Sequence, residues 1–111
     1  MDEEISPRPL VESSTVMHLD MNAARQLAVD EAYNIAIQTR EDARTYRWSC
    51  PSVKLESLNM GSQVIPVYRI VVILAKRGGL FSLGGKRRFE FQLEAMSGNF
   101  IGLEDHGWEE W

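Results

Sequence analysis

The sequence predicts an α+β fold in which one long helix packs on a four-stranded, mostly antiparallel sheet. Between residues 23 and 42, apolar side chains recur at three- and four-residue steps, as on the buried face of a helix. From about residue 46 onward the apolar period is that of strands. Consecutive strands joined by turns favour hairpin pairing, so we expect an antiparallel meander.

The bulk composition fits one compact domain and excludes several classes of protein. The 111 residues are 44% hydrophobic, which is enough for a real core. A net charge of −4 argues against general nucleic-acid binding, because phosphate contacts need a basic face. The single cysteine, Cys50, rules out an internal disulfide and cannot form a cysteine-based zinc site alone.

The location and the domain boundaries follow from the ends of the chain. No apolar run reaches the roughly 18 residues that cross a bilayer. The acidic start, Met1 to Glu4, is unlike a secretory signal, so we expect a cytoplasmic protein unless a signal has been removed. We predict a flexible N-terminal arm over 1–15, alternatively a partner-binding segment, because this Pro-, Ser- and acid-containing stretch cannot offset its ordering entropy. The domain spans 16–105, and 106–111 form an acidic tail whose tryptophans either dock on the domain or bind a partner.

The helix is predicted from Ala23 to about Asp42, a stretch of good helix formers without Gly or Pro. Asp20 or Asn22 can serve as its N-cap. The small residues on its apolar face should let it lie close against the sheet. That face consists of Ala24, Leu27, Ala28, Ala32, Ile35 and Ala36.

Two strands are expected before residue 75. The first begins near Tyr46 and alternates again over 53–56, and Pro51 marks a bulge, a kink or an edge position. Residues 64–74 are the most apolar and β-branched segment, which predicts the central strand. We place Pro66, near its start, at a bulge or before ladder pairing begins.

The last two strands form a hairpin. Between 89 and 95, apolar and polar residues alternate with a period of two, which indicates a half-buried strand. Ser97-Gly98-Asn99 then breaks the pattern with residues that tolerate positive φ, and an apolar run resumes at Phe100.

The Gly-rich, basic segment from residue 76 to residue 88 is the best functional candidate. It is either a solvated hairpin loop or a contact loop that presents apolar side chains to a protein partner or a membrane surface. Its basic residues would steer anions toward that contact. The candidate partner-binding residues are Lys76, Arg77, Leu80, Phe81, Leu83, Lys86, Arg87 and Arg88.

We predict no catalytic residue, no metal site and no cofactor. His18 and His106 lack the spacing of a metal site. Cys50, followed by proline, is typical of a buried small hydrophobe. Glu90 and Glu94 lie on the polar row of a strand, where carboxylates are surface charge.

Two stretches resemble the PepSY-type domain and, more broadly, the cystatin-like fold. They are Leu19 to Ala24, which enter a helix containing Ala28 and Ala32, and Phe89 to Phe100, which hold a strand, a Gly-containing turn and the start of a final strand. The resemblance implies a regulatory or binding module without catalytic residues. The Gly-rich basic segment is not part of that pattern, and 63–66 lack the glycine of the cystatin inhibitory hairpin, so we carry over no inhibitory residues.

We therefore expect a non-enzymatic protein- or ligand-binding module with an unidentified protein partner and no nucleic acid. A homodimer could form through a partly apolar patch on the second face of the sheet. The alternatives are membrane attachment through 76–88 and a small-ligand carrier or enzyme with a pocket between helix and sheet, hinted at by Arg25 and Glu31. The residues expected on the second face are Arg47, Lys54, Glu56, Arg69, Glu90, Gln92 and Glu94.

Overall fold

The computed structural model describes residues 19–80 and 83–110 and confirms the α+β arrangement. The predicted arm over 1–15 lies outside the described residues. Four strands form one sheet in the order β1-β2-β3-β4, and each neighbouring pair is antiparallel. The elements are helix α1 (Met21–Thr39), a 3-10 helix (Glu41–Thr45), β1 (Arg47–Met60), β2 (Gln63–Lys76), β3 (Gly85–Glu94) and β4 (Phe100–Glu110).

The helix begins at the predicted cap and ends earlier than expected. An Asp20 Oδ1 atom accepts a hydrogen bond from the backbone N–H of Ala23 at 2.7 Å, which satisfies one of the free donors of the first turn. At the other end Arg40 takes an extended conformation, and the chain tightens into the 3-10 helix. Ala43, in the 3-10 helix, is fully buried and belongs to the hydrophobic core.

The core lies between α1 and the face of the sheet that it covers. The alanines at four-residue steps from Ala24 to Ala36 are fully buried, as predicted, and Val29 is buried beside them. Leu27 and Ile35 lie instead at the margins of the buried face. The sheet contributes Tyr68, Ile70, Val72, Leu74, Phe89, Phe91 and Leu93 to this core.

The two strand prolines have different surroundings. Pro51 lies in a bulge between Ser49 and Ser52 of the edge strand β1, as predicted. Pro66 is not at a bulge, and it pairs regularly with Ser57 of β1. It precedes the β2–β3 ladder, which begins at Val67, so the predicted position before ladder pairing holds for that side of β2. Its carbonyl accepts from the backbone N–H of Ala95 at 2.9 Å. Since N–H and C=O of one strand residue point to the same side, its missing donor faces away from β1 and removes no β1–β2 bond.

The last strand includes most of the stretch that was expected to be a tail. β4 continues to Glu110, and Gly107 with φ 77° lies where the pairing with β3 shifts register. This bulge absorbs an extra residue and lets the strand continue. The indole of Trp108 then packs on Tyr46 with 5.2 Å between ring centroids, and the Arg40 guanidinium lies 4.4 Å from its ring centre. Trp108 therefore docks on the domain, which agrees with the first of the two predicted roles of the tail.

Gly85 at the start of β3 makes this packing possible, and its replacement tests it. A Cβ at this position would lie 2.4 Å from Trp108 Cζ2 and 2.7 Å from the backbone carbonyl of Glu109. We expect Gly85→Ala to lower the free energy of unfolding by about 1–3 kcal/mol through overpacking, measured by urea unfolding. In the control Gly102→Ala, the nearest atom is the mobile end of Gln92, so the loss should be smaller. Equal losses would contradict this account.

Candidate functional site

The face of the sheet opposite α1 is not covered by any part of the chain that the structure describes. Because paired residues share a face, the register of β1, β2, β3 and β4 places a mixed set of charges there. All of the side chains predicted for this second face lie on it. We call this surface the open face.

An apolar strip along β2 runs through the middle of the open face. It consists of Ile65, Val67, Val71 and Ile73, interrupted by Arg69. Val67 and Val71 are only 4% and 8% exposed, although no described element lies above them. Longer polar side chains lie beside them, since Val67 is flanked by Glu56 and Glu94 and Val71 has Glu90 on its β3 side.

Charges of one sign face each other across neighbouring strands of this surface. Lys54 is directly opposite Arg69, and Glu90 is directly opposite Glu104. Like charges in such positions are destabilising unless other groups offset them. The Arg69 Nε atom lies 3.1 Å from Glu56 Oε1 and supplies part of that compensation.

The acidic pair belongs to a cluster that the sequence analysis missed. Glu90, Glu104 and His106 each offer a ligand atom, and these atoms lie within 4.8 Å of one another. The signal was available, because Glu104 and His106 are two residues apart and so share a strand face. This signal was missed because His106 was assigned to a tail and not to a strand.

Imidazole and carboxylate groups together are suitable ligands for several divalent transition metals. Whether the cluster requires a bound cation depends on the positive charge that neighbouring side chains already supply to its carboxylates. His106 Nε2 lies 3.0 Å from Glu90 Oε2, and Arg88 Nη2 lies 3.4 Å from the same oxygen. Arg88 thus already supplies positive charge to the carboxylate. Arg88 thereby offsets one of the two carboxylates of the cluster.

The candidate segment 76–88 is shorter as a loop than expected. Lys76 ends β2, and Lys86, Arg87 and Arg88 belong to β3, so the connection spans 77–84. The period-two burial pattern of β3 includes Lys86, Arg87 and Arg88, which the sequence analysis assigned to a loop. Within the connection Arg77 is exposed, and Leu80 and Leu83 are 90% and 62% exposed. Phe81 lies outside the described residues.

Arg87 is a structural residue and is not available on the surface. Its side chain is buried and its Nε donates to Asp105 Oδ1 at 3.1 Å, while Nη1 donates to Thr39 Oγ1 at 2.7 Å. A second guanidinium nitrogen bonds the other carboxylate oxygen of Asp105. This group therefore joins β3, β4 and the end of α1. Counting back by two from Phe89 places Arg87 on the buried row, which is the signal that could have predicted it.

Two carboxyl groups at this end of the sheet are held in the charged form. Hydrogen bonds from Arg40 and Lys76 lower the pKa of Asp42 to about 2. Hydrogen bonds from Arg87 lower the pKa of Asp105. Lys76, another of the candidate residues, is thus engaged with Asp42 through its ammonium group.

Three surface clefts give little support to a pocket between helix and sheet, because none of their lining residues comes from α1. Two lie on the open face, one around Arg69 and Gln92 and the other around Ile73 and Arg88. The third lies at the end of β2 near Arg77. Arg25, one of the two hints of a pocket, donates to Asn22 on its own helix at 3.0 Å.

Comparisons with family models, with curated proteins and with solved structures found no match to this chain. Within 19–80 and 83–110, no helix is both long and apolar enough to cross a membrane.

The ion pair of Arg87 and Asp105 should make stability depend on pH. Because the folded pKa of Asp105 lies below its ordinary value of 3.8, the pair stabilises the fold above that value, and this contribution is lost as pH falls through the folded pKa. We expect Asp105→Asn to cost about 1–3 kcal/mol at pH 7, since it leaves the buried Arg87 without its counter-charge, although solvent reaches the Asp105 side chain.

Urea unfolding of both proteins between pH 7 and pH 2 measures this effect. The difference between them should shrink as the pH falls, because the wild-type carboxyl also loses its charge when the pH passes through its folded pKa. Asp30→Asn, on the exposed side of α1, is the control and should change stability by less than about 0.5 kcal/mol. A constant difference at every pH would refute the role assigned to the pair.

Proposed function

We propose that this protein is a non-enzymatic protein-binding module and that the open face of its sheet is the contact surface. The observation that carries the proposal is the composition of β2. Its side chains are apolar toward α1 and largely apolar on the opposite side as well. Such a continuous apolar run is typical of a strand with both faces covered, whereas α1 covers one.

The chemistry of the described side chains supports binding over catalysis. Burial raises the pKa of the Cys50 thiol, so it is protonated at neutral pH and a poor nucleophile. On the open face, the Glu90 carboxylate contacts both His106 and Arg88. General acid–base work needs a group free to exchange its proton with a substrate.

The open face also indicates the kind of partner. Its apolar strip is bordered by acidic and basic side chains in alternating positions, with Lys54 and Arg69 beside Glu56 and Glu90. A nucleic-acid backbone needs a uniformly basic surface, which this is not. A protein surface with an apolar centre and a mixed polar rim fits it. The PepSY-like resemblance of the sequence is in keeping with such a regulatory contact.

Substitutions on the strip test this proposal. The protein is used as bait in an extract of its native host, and the captured partner is then titrated against Ile65→Glu and Ile73→Glu. Each should weaken binding at least about tenfold, because a charge replaces an apolar contact at one end of the strip. Both side chains are partly exposed, so the fold should persist, which far-UV circular dichroism checks. Unchanged affinity in both variants would exclude the open face.

Two exposed leucines in the connection 77–84 support a second candidate function. Leu80 is 90% exposed and Leu83 is 62% exposed, an arrangement suited to a protein contact or to an anionic membrane surface. The triple change of Leu80, Phe81 and Leu83 to Ser serves as the matched counterpart of the strip variants. Loss of partner capture or of sedimentation with anionic vesicles in this variant alone would move the binding site to the connection.

A further inference from the structure

The two edges of the sheet differ in how well they could accept another strand. β4 is interrupted by two register shifts against β3 and carries Glu104, Asp105, Glu109 and Glu110. Bulges and a high density of like charge discourage pairing at an edge. β1 instead pairs with β2 without a shift from Ser52 to Met60, which leaves nine consecutive residues in regular geometry at the other edge.

The centre of this regular stretch has a self-complementary sequence. Lys54, Leu55 and Glu56 are all exposed, and Leu55 is 45% exposed. If a second β1 lies antiparallel with Leu55 opposite Leu55, each Lys54 faces a Glu56 of the other copy. Opposite charges in directly paired positions stabilise a sheet. The same two-fold axis brings the exposed leucines into contact.

The charges also select this register over its neighbours. Moving the two-fold axis to Lys54 places the two lysines opposite each other, and moving it to Glu56 does the same for the two glutamates. Both shifts create a direct like-charge contact, which is unfavourable. Within one chain, Lys54 already faces Arg69 across the ladder. A carboxylate on its outer side would therefore offset a repulsion that the single sheet contains.

We propose that two copies of this chain pair through their β1 edges, antiparallel and two-fold symmetric about Leu55, to form one continuous eight-stranded sheet. The paired segment is 52–58, and the bulge at Cys50 and Pro51 ends it. Isologous contacts of this kind close after two copies, so a dimer forms and not a filament. The contact uses the strand edge and, on the open face, only the side chains of Lys54 and Glu56 at its border, so the apolar strip stays free. It is therefore independent of the proposed function, and each can fail alone.

Charge exchange within β1 tests the register directly. The association of Lys54→Glu, Glu56→Lys and the double variant is compared with wild type by sedimentation equilibrium. Each single change turns two attractive contacts into two repulsive ones, so the dimer should weaken at least about tenfold. The double variant exchanges the two charges and should restore wild-type affinity. It also keeps a carboxylate near Arg69, which protects the fold.

Mixing gives a second readout that does not depend on the double variant. Equimolar Lys54→Glu and Glu56→Lys proteins carry two acids and two bases at the paired positions, so they should associate with each other although neither self-associates. Glu104→Lys, on the other edge, is the control and should leave the dimer unchanged. A wild-type protein that stays monomeric at high concentration would overturn the proposal. A dimer that is insensitive to the single changes, or one that is lost with Glu104→Lys, would do the same.

Discussion

The structure is organised by one constraint, which is that a single helix must cover four long strands. A helix of 19 residues is about 28 Å long, whereas a strand of 14 residues extends about 46 Å. The buried alanines from Ala24 to Ala36 allow the closest approach of helix to sheet, which maximises the burial that a short helix can provide. The parts of the sheet that extend beyond the helix must be covered by other side chains or remain exposed to solvent.

At the C-terminal end of the helix, polar and aromatic groups extend the cover. Trp108 and Tyr46 stack where the helix ends, with Arg40 above the indole. Beneath them the guanidinium of Arg87 is matched by Asp105 and Thr39. Such a pair, with a buried Arg87 and a partly exposed Asp105, contributes little net stability compared with apolar packing, but leaving the buried arginine without its partner is costly. The Arg87–Asp105 pair therefore favours the observed register of β3 and β4, because only this register brings the two charges together at the C-terminal end of the helix.

Local patterns predict the elements of this fold well, and long-range pairing decides the rest. The cap at Asp20, the alanine face and the period-two strands are all properties of neighbouring residues, and each was confirmed. The roles of Arg87 and His106 depend on which residues lie opposite them, and the bulge at Gly107 changes that register. The basic segment 76–88 and the acidic segment 106–111 were therefore interpreted from their composition alone. That interpretation missed the burial of Arg87 and the position of His106 beside Glu90 and Glu104.

The hairpin between β1 and β2 continues past the rest of the sheet. β3 ends at Glu94, opposite Val67, so the segment from Gln63 to Pro66 has β1 as its one neighbouring strand in the sheet. Two-stranded ribbons are marginal on their own in water, so this end can fray and re-form without opening the core. Gly61, with φ 66° and open space around it, lies at the tip. An epitope or a fluorophore inserted at this tip would label the protein without disturbing the part of the sheet that the helix covers.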